Sequence, residues 1–430
     1  MKKGNNAPNT PAIATGKPGI WHYVILLLAV IPVILHFKMI NSFALNIPYN
    51  DDWDAILGFL NSWKHADQKL PLLFAQHNEH RILSSKIIYT SYFAVFNHIN
   101  ILSIIYIANM QLLVIAAVLA YFVKKVLNIP LFGSLMLFII SLCLFDPGSY
   151  DNSDFAMAGL QNYGVIMLFL LSLFFYTIKT KSRVELAAAL LFQFLCAFSS
   201  GNGFMAGIAL LLYTIFSKDK MRMICCMAGF ALFTTIYFFT YHSVTNDMDI
   251  KAKSAGMFIS YFLKLSGAHF SFEYGIVIAV LLYATIATAL FYKRKEVELQ
   301  RILPFLALLL FAGMSMAATA LLRSGQANIF ESVSISSRYL IYPQLLAMVF
   351  FILLAYRLQY LKNAWMALCL CSLIFVKAYR ENYDYGASAF ESRNTRLSLN
   401  KFVYPNKAHA QQVAMEACKN EIYCIEENRP

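Results

Sequence analysis

Apolar residues in this chain come in long runs broken by short polar stretches, not at the spacing of amphipathic helices. Runs of about 20 such residues match the length a helix needs to cross the hydrocarbon core of a bilayer. Along the chain they predict about eleven spans: Trp21–Met39, Ile101–Val123, Ile129–Phe145, Phe155–Ile178, Val184–Ser199, Phe204–Phe216, Met223–Tyr241, Tyr274–Tyr292, Ile302–Leu321, Leu340–Tyr356 and Ala364–Val376. The expected fold class is an all-α integral membrane protein of about eleven transmembrane helices. Three parts follow from the same pattern. Residues 1–20 read as a disordered cytoplasmic leader rich in Gly, Pro and Asn. Residues 21–377 form a polytopic membrane domain, and residues 378–430 a hydrophilic outer tail, too short for a large catalytic domain.

The first polar break, residues 48–100, is the longest before the tail. In it Trp53, Leu57, Leu60 and Lys64 fall at helical spacing with Phe59 and Trp63 alongside. That pattern predicts a short amphipathic helix lying on the membrane surface, anchored by Trp. Ile82–Phe96 is apolar but interrupted by Ser84, Ser85 and Lys86, and reads as a second surface helix or the start of a tilted span.

Composition agrees with the runs. Of 430 residues 59% are hydrophobic and only 13% charged, against about 25% charged in a soluble domain. A formal net charge of +12 would point to nucleic acid in a soluble protein. Here the placement of the cations matters more. With the N-terminus inside, the inner breaks collect Lys124, Lys125, Lys179, Lys181, Arg183, Lys218, Lys220, Arg222, Lys293, Arg294, Lys295, Arg301, Arg357 and Lys362. Against them stand only Glu185, Asp219, Glu296 and Glu298. The partner of the positive charge is therefore the lipid bilayer and not nucleic acid, and the expected topology is N-terminus in, C-terminus out. Ser42-Phe43-Ala44 resembles a signal cleavage site, but the apolar run and the leader before it are long for a signal, so an uncleaved anchor is expected. Six of the eight cysteines fall in spans, where a thiol acts as a small hydrophobe. Cys418 and Cys424 sit together in the outer tail, positioned for a local disulfide that would staple it.

Against so apolar a background, two clusters of titratable residues stand out in the first outer loop: Pro48-Tyr49-Asn50-Asp51-Asp52-Trp53-Asp54 and Gln76-His77-Asn78-Glu79-His80-Arg81. Carboxylates crowded at a membrane boundary resist ionisation through desolvation and mutual repulsion, which suits a general base acting on a hydroxyl. Asp51 and Asp52 are the candidate catalytic residues. Asp54, Glu79, His80 and Arg81 are candidates for substrate binding. His77 and His80, at i and i+3, would share a helical face and with an Asp of the first cluster could hold a divalent metal. Their spacing is not a zinc signature, and no cofactor or metal ligand is assigned. Later outer breaks supply Lys264, Arg323 and Arg338, the last beside Tyr339. Their ordinary role is to reach the lipid headgroups, and their sharper one is to bind phosphate, for which Arg offers a forked donor set. Asp146, Asp151 and Asp154 read as a polar rim. No P-loop, GxGxxG, GxSxG or HExxH pattern is present, which argues against a nucleotide-driven enzyme.

A cytoplasmic N-terminus, one span, and then an outer loop opening on an acidic motif and carrying surface helices resembles the GT-C superfamily of membrane glycosyltransferases. Asn50-Asp51-Asp52-Trp53-Asp54 stands where those enzymes keep their catalytic Asp motif. Gln76–Arg81 looks like a second landmark of bacterial members, and size and span number are similar to the serotype-converting O-antigen glucosyltransferases. The resemblance implies an inverting hexosyltransferase of a bacterial inner membrane. It would take sugar from a polyprenyl-phosphate carrier and pass it to a surface glycan or lipid-linked acceptor such as lipopolysaccharide. Asp51 or Asp52 would be the base, and Arg338, with Arg323 or Lys264, would hold the departing phosphate. Two other readings compete: an O-antigen or capsule polymerase, expected to keep its chemistry in later loops, and a transporter or flippase of lipid-linked oligosaccharide. Transport predicts charges inside mid-membrane spans and a repeated half. Neither is evident, and the span residues Asn109, Gln111, Gln161 and Gln193 are only mildly polar.

Overall fold

The computed structural model describes residues 19–127, 130–178, 182–239, 241–242, 251–291, 296–326, 335–359, 361 and 364–425. The leader, up to residue 18, and the inner cations Lys179, Lys181, Lys293, Arg294, Lys295 and Lys362 lie outside the described residues. The structure is 81% helical, with no strand among the described residues. The helices in the first half are α1 (Ile20–Phe43), α2 (Phe59–His65), α3 (Lys69–Phe74), α4 (Leu83–Phe96), α5 (Ile101–Val126), α6 (Pro130–Leu144), α7 (Tyr150–Asp154) and α8 (Ala156–Thr177). Then follow α9 (Arg183–Ala197), α10 (Gly203–Phe216), α11 (Lys220–Phe238), α12 (Ala255–Gly267) and α13 (Gly275–Phe291). The chain closes with α14 (Glu296–Arg323), α15 (Ile341–Leu358), α16 (Ala364–Leu399) and α17 (Lys407–Lys419).

Among the described residues seven helices are long and apolar enough to cross a membrane: α1, α5, α8, α11, most of α14, α6 continued through α7, and α15 with the turn before it. Two shorter apolar helices, Gly203–Phe216 and Gly275–Thr288, fall on further expected spans. The two remaining expected spans, Val184–Ser199 and Ala364–Val376, differ. Over Val184–Ser199 the chain forms α9 of 15 residues, about 22 Å long and short for a hydrocarbon core of about 30 Å. Ala364–Val376 is only the first third of α16, whose 36 residues extend roughly 54 Å. This is a multi-pass helical membrane protein with seven helices of spanning length among the described residues.

Polar span residues fasten helices to one another, since an unpaired polar group is costly in an apolar interior. Asn109 on α5 accepts through Oδ1 from His36 Nε2 on α1 (2.8 Å) and donates through Nδ2 to the Ser153 carbonyl (3.0 Å). Gln193 on α9 accepts from the Tyr176 hydroxyl (2.9 Å) and donates to the Cys226 carbonyl (3.2 Å). α5, α6, α8, α14 and α15 share one apolar core.

A second core covers the first loop. Trp53–Gly58 winds as a π-helical turn that runs on into α2, and Trp53, Ile56, Leu57 and Leu60 are fully buried. Sequence spacing put this helix on the membrane surface. Its apolar face is covered instead by Ala410, Val413, Ala414 and Ala417 of α17, and Phe402 stacks on Trp53. The tail is thus no loose appendage. α16 runs unbroken through the boundary expected at residue 378, and Cys418–Cys424 forms a disulfide. The Ile99 amide donates to the Ile422 carbonyl (2.7 Å) and the Tyr423 hydroxyl to the Asn46 carbonyl (2.7 Å).

Candidate active site

The acidic motif divides its side chains among four destinations. Asn50 has φ of 46°, a left-handed conformation that Asn tolerates, and its amide donates to the Val403 carbonyl (3.0 Å). The chain then turns tightly, with the Asp52 amide donating to the Tyr49 carbonyl (3.0 Å). Asp51 leaves this turn toward a cavity of about 270 Å³, near the lower end of small-molecule pockets, roughly 300–1,000 Å³.

Asp52 points the other way and is 1% exposed. One oxygen accepts the Tyr49 amide (3.1 Å) and the other the Met157 amide (2.9 Å). Met157 is in the first turn of α8, where amides have no partner within the helix. Asp52 therefore caps α8 from a hundred residues away, an arrangement the positive helix N-terminus favours. Burial pushes its carboxyl up to about 8, while the two amide donors pull it down. Both oxygens are engaged by backbone. Trp53 enters the second core. Asp54 accepts from the Tyr404 hydroxyl and bonds His409 Nε2 (2.7 Å), fastening the motif to the tail.

The second cluster forms a turn and not a helix. His77 and His80 exchange backbone hydrogen bonds (2.7 and 2.9 Å) around Asn78, whose φ is 47°. The helical face expected to bring these two rings together does not form. Among the described residues no three His, Cys, Asp or Glu side chains are grouped as a metal would require. Glu79 and His80 line the cavity with Asp51. The Gly201 amide donates to His80 Nδ1 (3.2 Å), which leaves the ring proton on Nε2, and burial lowers this imidazole to about 4. Gly201 permits the approach: a Cβ there would sit 3.2 Å from the ring nitrogen.

Arg81 faces away, 4% exposed. Its guanidinium donates to the Phe74 carbonyl and to the Tyr237 carbonyl at the end of α11 (2.9 Å), and lies over the Tyr237 ring. It locks the first loop onto α11 and is no part of the cavity. Lys264 also lies outside the cavity lining, on the segment of α12 where Gly275 of α13 packs against its backbone.

The opposite wall comes from the far end of the chain. Arg323 is the last residue of α14, and Arg338 and Tyr339 stand in a short turn ahead of α15. This turn is held by the Asn152 side-chain amide on the Arg338 carbonyl (2.9 Å) and by the Asp151 amide on Ser337 Oγ (2.9 Å). The Arg338 guanidinium lies over the Tyr339 ring (5.2 Å), with Nε buried and lacking an acceptor. Of ten candidates, six therefore line one cavity: Asp51, Glu79, His80, Arg323, Arg338 and Tyr339. Asp52, Asp54, Arg81 and Lys264 do not.

Other lining residues had only faint sequence signals. Gln161 and Asn162 are adjacent amides opening an apolar run, and Ser200 and Asn202 lie in the short turn between α9 and α10. The polar rim also differs from expectation. Asp146 is fully buried, bonded to the Asn382 side chain (2.8 Å) and the Gly148 amide (2.7 Å). Asp151 and Asp154 pair with Arg393 of α16, which stacks on Tyr49 and Tyr150. Arg393 supports the cavity from behind, and nothing in its local sequence marked it.

No protein-family profile matches the chain, and no curated protein is significantly similar to it. Among solved structures it is similar to the oligosaccharyltransferase of Archaeoglobus fulgidus, crystallised with zinc and sulfate. The match has 13% identity and a TM-score of 0.40, over 86% of this chain and 53% of that one. The chain thus spans about half the length of that structure.

Proposed function

We propose that this protein is a membrane glycosyltransferase that transfers a sugar from a polyprenyl-phosphate carrier to a surface glycan or lipid-linked acceptor, O-antigen or lipopolysaccharide in type. The observation that carries the reading is the cavity itself. It sets the Asp51 carboxylate in one lining with two arginines, one of which keeps a buried donor without an acceptor. A base beside an anion site is what displacement of a phosphate from an anomeric carbon requires.

In this mechanism the acceptor oxygen attacks the anomeric carbon while its proton passes to Asp51. The carbon–oxygen bond to phosphate breaks, and the electron pair leaves with the polyprenyl phosphate. Arg338 and Arg323 hold that departing charge with forked donors. One displacement inverts the anomeric centre, through a transition state with oxocarbenium character like that of glycoside hydrolysis. Glu79 accepts from sugar hydroxyls and neutral His80 donates through Nε2. Asp52 positions Asp51 by fixing the turn to α8. The chain is assigned to a bacterial inner membrane, with about eleven crossings, the N-terminus inside and the cavity outside.

The test is mass spectrometry of surface glycans from cells expressing the native chain, Asp51→Asn or Arg338→Ala at matched protein levels. A hexose-sized addition with the native chain that both variants abolish is expected. An unchanged glycan in the native strain, or an addition that survives Asp51→Asn, refutes the reading.

A further inference from the structure

Beyond its apolar first third, α16 carries a second regular pattern. Asp384, Ser388, Ser392 and Arg396 recur every four residues, and Tyr385, Ala389 and Arg393 follow one position behind. In a helix such rows lie side by side as adjacent ridges of one face. The polar row is about 18 Å long. Asp384 stands about 30 Å along the helix from Ala364, so the pattern lies clear of a hydrocarbon core about 30 Å thick.

This face forms one wall of a groove of about 720 Å³, and Tyr49 and Tyr150 form the other. Arg393 is buried between them. Its guanidinium lies over both rings, 4.7 Å from Tyr49 and 4.9 Å from Tyr150, while Asp151 and Asp154 meet its charge. Tyr385 meets the Tyr150 ring edge-on at 6.2 Å and is 57% exposed. The groove neighbours the cavity. Tyr49 belongs to the turn that aims Asp51, and Asp151 reaches from Arg393 to Ser336 and Ser337 in the turn of Arg338.

The lining selects the kind of ligand. The exposed Tyr385 ring offers a flat apolar face against which the C–H side of a pyranose packs. Asp384, the two serine hydroxyls and Arg396 set acceptors and donors in a row, which a chain of hydroxyl-bearing rings meets one after another. Asp384 and Arg396 carry opposite charges, and that of Arg393 is met by two carboxylates, so the described lining favours no anion. Ala389 is its one aliphatic side chain, too little for an acyl tail.

We propose that this groove is a carbohydrate-binding site that holds a neutral oligosaccharide, the part of the acceptor glycan already built, outside the cavity. The acceptor is then an extended glycan and not a bare lipid. Its use for an acceptor rests on the glycosyltransferase reading; its sugar binding does not.

The test takes neutral oligosaccharides released by mild acid from the envelope of the source cells and freed of charged fragments by anion exchange. Binding to the purified full chain is read by equilibrium dialysis, and its place by hydroxyl-radical footprinting. Bound sugar protects Tyr385 from oxidation. Tyr385→Ala weakens binding by about tenfold through loss of the stacked ring, and Tyr385→Phe keeps it. Ser388→Trp, on the exposed polar row, blocks the groove and weakens binding with the melting temperature unchanged. With a polyprenyl-phosphate hexose as donor, the same variant raises KM for the oligosaccharide acceptor and leaves kcat as it was. Absence of binding by the native chain, or binding that leaves Tyr385 unprotected and survives both Tyr385→Ala and Ser388→Trp, overturns the proposal. Protection of Tyr385 by phosphatidylglycerol vesicles and not by the oligosaccharides makes this a headgroup site and overturns it equally. Sugar binding with the expected variant effects but no transfer by the native chain upholds the site and refutes the glycosyltransferase reading alone.

Discussion

Two neighbouring aspartates with the same chemistry have different work because of what their oxygens meet. Asp51 faces the cavity, whereas both oxygens of Asp52 take backbone amides. Asp51→Asn is expected to lower transfer by about 10²–10⁴-fold with the melting temperature unchanged. Asp52→Asn presents an NH₂ group to a backbone N–H and is expected to destabilise by about 1–3 kcal/mol, read as earlier thermal unfolding. Asp52 also gives stability a pH dependence. Burial raises its carboxyl to about 8, against about 4 in an unfolded chain. Between those values the folded state keeps a proton that the unfolded chain has lost, so stability declines as pH rises through the window. His80 acts at the other side. Lowered to about 4 from about 6.5, it stays neutral where the unfolded chain takes up a proton, and stability declines as pH falls from 6.5 toward 4. Between about 4 and 6.5 the two effects oppose and nearly cancel, so melting curves in buffered detergent should be flat there and decline from about 6.5 to 8; Asp52→Asn removes the alkaline decline and uncovers an acid one, and His80→Gln extends the decline down to about 4.

At the scale of elements, the π-turn and α17 form one unit. Spacing at Trp53, Leu57 and Leu60 showed an amphipathic helix, and that helix is present. What the pattern could not give was the surface that covers it, because an apolar face reads the same against lipid as against α17. The tail carries a sparse apolar pattern of its own, Ala410, Val413, Ala414 and Ala417, whose partner lies more than 350 residues away. A charge on that face should separate the two elements. Val413→Asp is expected to expose Trp53, seen as a red shift of tryptophan emission, and to loosen the turn that aims Asp51. The same distance problem governed the site. Acidic and basic candidates were legible because titratable residues are rare in this chain. Their sorting was not, since Arg81 and Arg338 look alike until one meets carbonyls and the other keeps a donor unpaired.

Seen whole, the molecule places its cavity at one end of α8, α10 and α14 and its tyrosine-lined groove on the neighbouring stretch of α16. Hydropathy made the helical membrane class evident from the runs alone. Span number was less legible, because α9 is short and α16 passes from apolar to polar without a break. The proposed N-inside, C-outside topology would put the chain's ends on opposite faces. Protease added to intact spheroplasts should remove a C-terminal tag and spare an N-terminal one, and removal of both or neither would contradict it.

The central claim is that Asp51 and the arginines facing it perform sugar transfer. Its most direct measurement is the transfer rate from a synthetic polyprenyl-phosphate hexose, with purified protein in vesicles supplied with envelope glycolipid extract. Native chain, Asp51→Asn and Asp52→Asn are compared at equal folded fraction. Transfer by the native chain, near-complete loss in Asp51→Asn and substantial retention in Asp52→Asn is the expected result. A native rate in Asp51→Asn would contradict the account, whatever Asp52→Asn does.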